Sequence, residues 1–84
     1  MGKVTPWPWT STLAMLESKA PARVYKILFG SVKRRMEKLG LEAGDVVRLR
    51  GREGGYVIIE NGDGRELRIE RPYAWFVRVM PSTN

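Results

Sequence analysis

Residues 21–39 form an amphipathic stretch that limits, more than any other feature, what this chain can fold into. When the stretch is wound as an α-helix at about 100° per residue, its apolar side chains share one face. These side chains are Val24, Tyr25, Leu28, Phe29, Val32, Met36 and Leu39. Pro21 suits a first helical position, and Gly40 suits a left-handed cap that lets Leu41 fold back on the last turn. The pattern predicts a single helix over residues 21–39.

The same residues allow a second interpretation. Residues 23–29 would form a strand, and a shorter helix would begin at Ser31, which is a good N-cap residue. A half-buried strand alternates apolar and polar residues, and residues 23–29 do not alternate strictly. The long helix is therefore the main prediction, and whether residues 23–29 are helix or strand stays open.

The outer side of the predicted helix carries a row of cations. Its members are Arg23, Lys26, Lys33, Arg34 and Lys38, with Arg35 on the apolar edge. Residues 1–40 hold eight cations and two carboxylates, whereas residues 41–84 hold seven of each, so the whole net charge of +6 lies in the N-terminal half. Because crowded like charges repel one another, a bound polyanion would release counterions and recover free energy. The row predicts contacts to nucleic-acid phosphates; a solvated face, an anionic membrane surface and an acidic protein are the alternatives.

The N-terminal residues predict a tail followed by a short helix. The tail comprises residues 1–11. Within it, Pro6 and Pro8 favour an extended backbone around Trp7 and Trp9. The two indole rings either fold back over the core, or stack on bases or fill a partner's pocket. Threonine and serine at residues 10–12 offer N-caps for a helix over residues 12–19.

After Gly40 the pattern changes to four β-type runs, at residues 45–50, 56–60, 65–70 and 74–80. The connections between the runs are short enough for antiparallel neighbours. The predicted fold class is α+β, with two N-terminal helices followed by a four-stranded antiparallel sheet or a small SH3-like or cradle-loop barrel. Residues 12–80 would form this single domain, and residues 81–84 a frayed C-terminus. Because the second and fourth runs are apolar on both faces, we expect a homodimer to cover the second face.

Composition excludes several classes of function. The chain contains neither cysteine nor histidine, which removes thiolate and imidazole metal ligands and the commonest general base. We find no catalytic constellation, and we predict that the protein is not an enzyme and uses no cofactor and no metal. No apolar run approaches the roughly 18 residues of a membrane span, so we expect a cytoplasmic protein. Abundant Arg, Lys and Glu with no Gln indicates a heat-adapted organism.

Residues 36–60 resemble a known family. The Leu39-Gly40-Leu41 sequence at the end of a helix, the Gly44-Asp45 turn and the run at 56–60 are similar to AbrB and MazE type proteins. These are dimeric swapped-hairpin barrels that bind DNA, so the resemblance implies a DNA-binding dimer. Four short strands with flanking cations also resemble the small SH3-like barrels of archaeal chromatin proteins.

The residues and the resemblance together predict a small basic nucleic-acid-binding protein, of chromatin or regulatory type, with duplex DNA favoured over RNA. Its phosphate contacts would come from the six cations of residues 23–38, with Trp7 and Trp9 as stacking or partner contacts. The alternative is a structural or protein-interaction module, or a small subunit of a larger complex.

Overall fold

The computed structural model describes residues 11–17 and 19–82 of the 84-residue chain. Within them lie the strands β1 (Ser11–Thr12), β2 (Ala22–Ile27), β3 (Val46–Glu53), β4 (Tyr56–Glu60), β5 (Glu66–Glu70) and β6 (Val77–Pro81). The helices are a 3-10 helix (Leu13–Met15), α1 (Gly30–Leu39) and the single turn α2 (Arg71–Ala74).

The six strands form one antiparallel sheet in the order β1-β6-β2-β3-β4-β5. The long strand β3 pairs with β2 at its start and with β4 along the rest. Its register against β4 shifts between Leu49 and Gly51, and such a bulge bends a strand and increases its twist. The sheet therefore curls around its apolar face as a small SH3-like barrel, and the amide of Arg71 donates a hydrogen bond to the carbonyl of Gly55 at 2.9 Å.

The core consists of inward-facing strand residues together with buried residues of the 3-10 helix, α1 and α2. Val47 and Leu49 of β3 and Leu67 and Ile69 of β5 alternate with exposed charged residues, as the sequence predicts. From outside the four predicted strands come Leu13, Ala14, Leu16, Ala22, Val24, Val32, Met36 and Leu41. Val57, Ile58 and Ile59 of β4 are all buried, so one chain covers both faces of that strand.

The predicted helix over residues 21–39 is wrong, and the second interpretation is close to the structure. The chain forms β2 over Ala22–Ile27 and begins α1 at Gly30. Ala22 and Val24 are fully buried where β2 pairs with β3 and β6. A register shift between Val24 and Lys26 interrupts the alternation of β2, which explains why the strand pattern is hidden in the sequence.

The predicted first helix over residues 12–19 is also wrong. The described part of that stretch holds only β1 and a 3-10 helix of three residues, followed by extended backbone at Leu16.

The fold class is corrected accordingly. The described residues form six strands and one helix longer than a turn, not two N-terminal helices on four strands. The small SH3-like barrel, which the sequence offered as another form of the sheet, fits this arrangement.

The predicted end of α1 is confirmed. Gly40 adopts a left-handed conformation with φ 91°, and its amide donates to the carbonyl of Glu37. The amide of Leu41 donates to the carbonyl of Met36 at 2.9 Å, and the Leu41 side chain is fully buried. This is a Schellman motif, which satisfies helix carbonyls that would otherwise lack partners.

Candidate functional site

The six cations predicted to share one helical face lie on two different elements. Arg23 and Lys26 belong to β2, whereas the others belong to α1: Lys33, Arg34, Arg35 and Lys38. Between the two elements the backbone turns at Phe29, which has a φ of 65°. The continuous cationic face of the sequence prediction therefore does not form.

Two of the six side chains hold surface elements together. The Arg23 guanidinium donates to the carbonyl of Gly44 at 3.2 Å. The Arg35 guanidinium donates to the carboxylate of Glu70 at 2.6 Å and lies 5.7 Å from the centre of the Tyr73 ring. The hydrogen bond to Glu70, and then the charge of that carboxylate, raise the pKa of Arg35. Both arginines thus have partners within the fold.

Two other cations of the predicted row, Lys26 and Lys33, line a common groove between β2 and α1. The groove has a volume of about 500 Å³. Its lining consists of Tyr25, Lys26, Ile27, Lys33, Glu37, Leu41, Glu42 and Ala43. We call it the β2–α1 groove.

Local backbone features give the groove its shape. Tyr25 lies at the register shift of β2, and its side chain is 48% exposed instead of joining the core as the helical pattern predicted. The amide of Gly44 donates to the carbonyl of Val24 at 2.7 Å, which holds the loop after α1 against β2. Leu41, buried by the helix cap, lies beneath the groove, and Ile27 and Ala43 supply the accessible apolar surface of its floor.

The β2–α1 groove carries charges of both signs. Lys26 and Lys33 are accompanied by the exposed carboxylates of Glu37 and Glu42. Because carboxylates repel phosphates, this lining is a poor track for a nucleic-acid backbone. A groove with an apolar floor and opposite charges on its walls is instead suited to a protein segment that presents matching charges.

A second surface, which the sequence reasoning missed, is a group of exposed aromatic side chains. Phe29, Trp75 and Phe76 have 64%, 45% and 38% of their surfaces exposed. The rings of Phe29 and Phe76 pack edge to face, with centroids 5.1 Å apart and an interplanar angle of 81°. We call these three residues the aromatic tip.

Phe29 adopts its exposed position at a cost in backbone energy. A φ of 65° is rare for a residue other than glycine and costs on the order of 1–3 kcal/mol. Two backbone hydrogen bonds hold the turn. The amide of Leu28 donates to the carbonyl of Phe76 at 2.9 Å, and the amide of Lys33 donates to the carbonyl of Phe29 at 3.0 Å. The helical pattern had placed Phe29 in the core. The adjacent pair Trp75-Phe76 was an available signal, since neighbours on the strand predicted over 74–80 cannot both point inward. In the structure both residues lie in the turn before β6.

Other predicted features have these outcomes. Trp7 and Trp9 lie outside the residues that the structure describes. Among the described residues, no group of three or more Asp or Glu side chains is placed to hold a metal ion. None of the helices in the described ranges is long and apolar enough to cross a membrane.

Comparison with known proteins identifies the family. The model of the FeoA domain matches residues 11–81. The chain belongs to the FeoA domain family. The match runs from β1 to the end of β6 and so includes both the β2–α1 groove and the aromatic tip.

Solved structures share the fold. The crystal structure of an iron uptake regulatory protein (FeoA) has a TM-score of 0.75 and 23% identity, over 87% of this FeoA domain and 97% of that chain. A FeoA-like protein from Clostridium acetobutylicum has a TM-score of 0.76 and 18% identity, over 93% of each chain.

The same fold occurs inside longer proteins. A manganese-dependent transcriptional repressor in complex with manganese has a TM-score of 0.80 and 17% identity, and the match covers 92% of this FeoA domain but 39% of the repressor. The manganese regulator SloR has a TM-score of 0.76 and 21% identity. The match covers 86% of this FeoA domain and 34% of the SloR chain. No curated protein sequence matches the chain.

These findings correct the predicted identity and function. The resemblance to AbrB and MazE type proteins is wrong, because the family is FeoA. The prediction of a small basic DNA-binding protein of chromatin or regulatory type is wrong for the same reason, and the divided cations agree with that outcome. The turn at residues 44–45 that suggested AbrB is also compatible with a FeoA domain.

Proposed function

We propose that this FeoA domain is a non-catalytic protein-interaction module that acts in the cytoplasm and serves iron uptake. Family membership supports the link to iron, since one structure of the same fold is that of an iron uptake regulatory protein. The observation that carries the interaction role is the β2–α1 groove, with its apolar floor and its charges of both signs.

The groove is suited to a segment of a partner protein. Its volume of about 500 Å³ admits a few side chains, within the usual range of binding pockets. Tyr25 supplies an exposed aromatic ring, a residue type enriched where binding energy is concentrated. Lys33 and Glu37, one helical turn apart, would select partners by charge, since a mismatched charge costs several kcal/mol at an interface.

The surroundings of the groove favour binding over catalysis. Catalytic groups commonly gain shifted pKa values through burial. In this groove Lys26, Lys33, Glu37 and Glu42 are all exposed to solvent. We therefore assign these side chains to partner recognition.

Homodimerisation stays a prediction within this proposal. Its original reason is weaker, because Val57, Ile58 and Ile59 are buried in a single chain. Light scattering of the purified protein across the micromolar range would measure the mass directly. A monomer throughout that range would contradict the homodimer and leave the interaction module intact.

Iron uptake in cells lacking the gene tests the proposed function. Cells complemented with the wild-type gene should accumulate radioactive iron, whereas Tyr25→Ser and Glu37→Lys should each reduce accumulation at least about fivefold. Tyr56→Ser and Asp63→Lys are matched controls, because they remove the same aromatic side chain and make the same change of charge at exposed positions outside the groove.

Protein abundance is measured by immunoblot so that folding defects are separated from binding defects. Equal loss in the groove variants and in their controls would contradict the groove as the interaction site. Full accumulation without the gene would contradict the role in iron uptake.

A further inference from the structure

We propose that the aromatic tip binds the surface of an anionic lipid membrane. The proposal goes beyond the interaction module; it shares Lys26 and Lys33 with the β2–α1 groove, but its test alters neither residue. It rests on three observations about Phe29, Trp75 and Phe76: their place at the end of a strand ladder, their exposure, and the charges of the residues around them.

The aromatic tip lies beyond the last pair of the β2–β6 ladder. Ile27 pairs with Val77, and no further pair follows in that direction. The chain continues from β2 into Phe29 and enters β6 from Trp75 and Phe76. Phe29 and Phe76 therefore meet at this end of the sheet, and Trp75 directly precedes Phe76 in the chain.

The apolar surface at this end is organised and open to solvent. The edge-to-face contact of Phe29 with Phe76 joins the two loops through their side chains. The hydrogen bond from the Leu28 amide to the Phe76 carbonyl joins them through their backbones. Trp75 adds an indole ring, and tryptophan is the residue most typical of the boundary between lipid headgroups and acyl chains.

Three cations flank the tip along the chain, and Arg34 is the one of them that lies outside the groove lined by Glu37 and Glu42. Lys26 lies one pair behind the end of the ladder, and Lys33 and Arg34 lie in the N-terminal half of α1. The Arg34 guanidinium reaches back to Gly30, where a Cβ atom would lie 3.4 Å from it. Residues 18–36 and 71–84 contain no Asp or Glu. Anionic lipid headgroups attract basic side chains placed in this way.

A membrane suits this surface better than an acidic protein does. A partner protein gains most from a pocket that encloses an anchoring side chain. Phe29 and Phe76 are instead exposed together at the end of the sheet, and Trp75, next to Phe76 in the chain, is exposed as well. Projecting aromatic rings with cations behind them match the order of a bilayer surface, where acyl chains lie beneath charged headgroups.

Vesicle binding of the full chain tests the proposal. The double substitution Trp7→Phe with Trp9→Phe leaves Trp75 as the one tryptophan. With phosphatidylcholine vesicles that contain about 30% phosphatidylglycerol, we expect co-sedimentation, a blue shift of Trp75 emission and quenching by brominated acyl chains. With phosphatidylcholine alone, binding should be at least about tenfold weaker.

Variants then separate the two components of binding. Phe29→Ser with Phe76→Ser should weaken binding about tenfold or more, with Tyr56→Ser as the exposed aromatic control. Arg34→Glu should weaken it about threefold, while Arg65→Glu, an equal change of charge outside the tip, should have little effect. Circular dichroism verifies folding, and Arg34→Glu should keep α1 intact because glutamate has a helix propensity close to that of arginine.

Absence of binding to the anionic vesicles at low salt would overturn the proposal, as would binding that leaves Trp75 emission and quenching unchanged. Tip variants that bind as well as the wild type would also overturn it. Loss of iron uptake in the groove variants would be unaffected by any of these results, so failure of the membrane proposal is distinguishable from failure of the proposed function.

Discussion

The guanidinium group of Arg52 donates a hydrogen bond to the backbone carbonyl of Ala14 at 3.0 Å, and the same nitrogen also donates to the carbonyl of Leu16. The contact joins β3 to the segment that follows β1. Leu13 and Leu16 of that segment are buried in the core. Arg52 therefore helps to hold an irregular segment in place where helix hydrogen bonds are few.

Arg52→Ala should lower the free energy of unfolding by about 2 kcal/mol, because two partly buried carbonyls lose a charged donor. Arg52→Lys should recover only part of this loss, since an ammonium group lacks the planar geometry of a guanidinium. Urea denaturation measures both changes. Arg65→Ala, in the exposed turn before β5, is the control and should stay within about 0.5 kcal/mol of the wild type. Equal effects at Arg52 and Arg65 would contradict the structural role of Arg52.

The left-handed cap of α1 predicts a specific cost at Gly40. Gly40→Ala should destabilise the protein by about 1 kcal/mol because alanine is strained at a φ of 91°. Gly40→Asn should cost less, since asparagine tolerates the left-handed region. Gly62→Ala is a suitable control, because a Cβ atom there meets no neighbour within 4 Å. Thermal unfolding compares the three variants, and a larger loss at Gly62 than at Gly40 would refute the cap.

The strained backbone at Phe29 predicts an unusual order of stabilities. Phe29→Gly should be more stable than Phe29→Ala by about 1 kcal/mol, because only glycine adopts a φ of 65° without strain. Both variants lose the ring contact with Phe76, so the comparison isolates the backbone contribution. Denaturant titration measures the difference. An alanine variant as stable as the glycine variant would show that the turn relaxes.

Burial along α1 distinguishes the true helix from the long helix of the sequence prediction. Met36 is fully buried, so Met36→Ala should cost about 2–5 kcal/mol. Leu28, which the long helix placed in the core, is only half-buried before α1, and Leu28→Ala should cost clearly less. Glu37→Ala is the exposed control. Calorimetry that found Leu28→Ala as costly as Met36→Ala would contradict this assignment of the core.

Several features could be predicted because they depend on residues close together in sequence. The Schellman motif at Gly40 and Leu41 follows from the order of a basic last turn, a glycine and a leucine. Strands β3 and β5 follow from alternation, and the turn between β4 and β5 from the sequence around Asn61. Each of these patterns is complete within a short segment, so no distant contact is needed to recognise it.

The candidate site depended on contacts that the local pattern does not contain. Residues 22–27 carry an apolar set that fits a helix, yet pairing with β3 and β6 makes them a strand. That pairing separates Arg23 and Lys26 from the cations of α1 and directs Tyr25 into the β2–α1 groove. The continuous cationic face predicted from the sequence therefore does not form.

The sequence by itself determined the composition of this protein and its short-range structure: the excess of positive charge before Gly40, the helix cap, and the strands that follow. Only the tertiary structure decided whether residues 22–27 would be helix or strand, and with that choice the positions of the groove and of the aromatic tip. The physical reason is that strand hydrogen bonds come from partners far along the chain, as when Val24 pairs with Val79. A local pattern cannot include the free energy of such pairs, and tertiary pairing overrides a moderate helical preference.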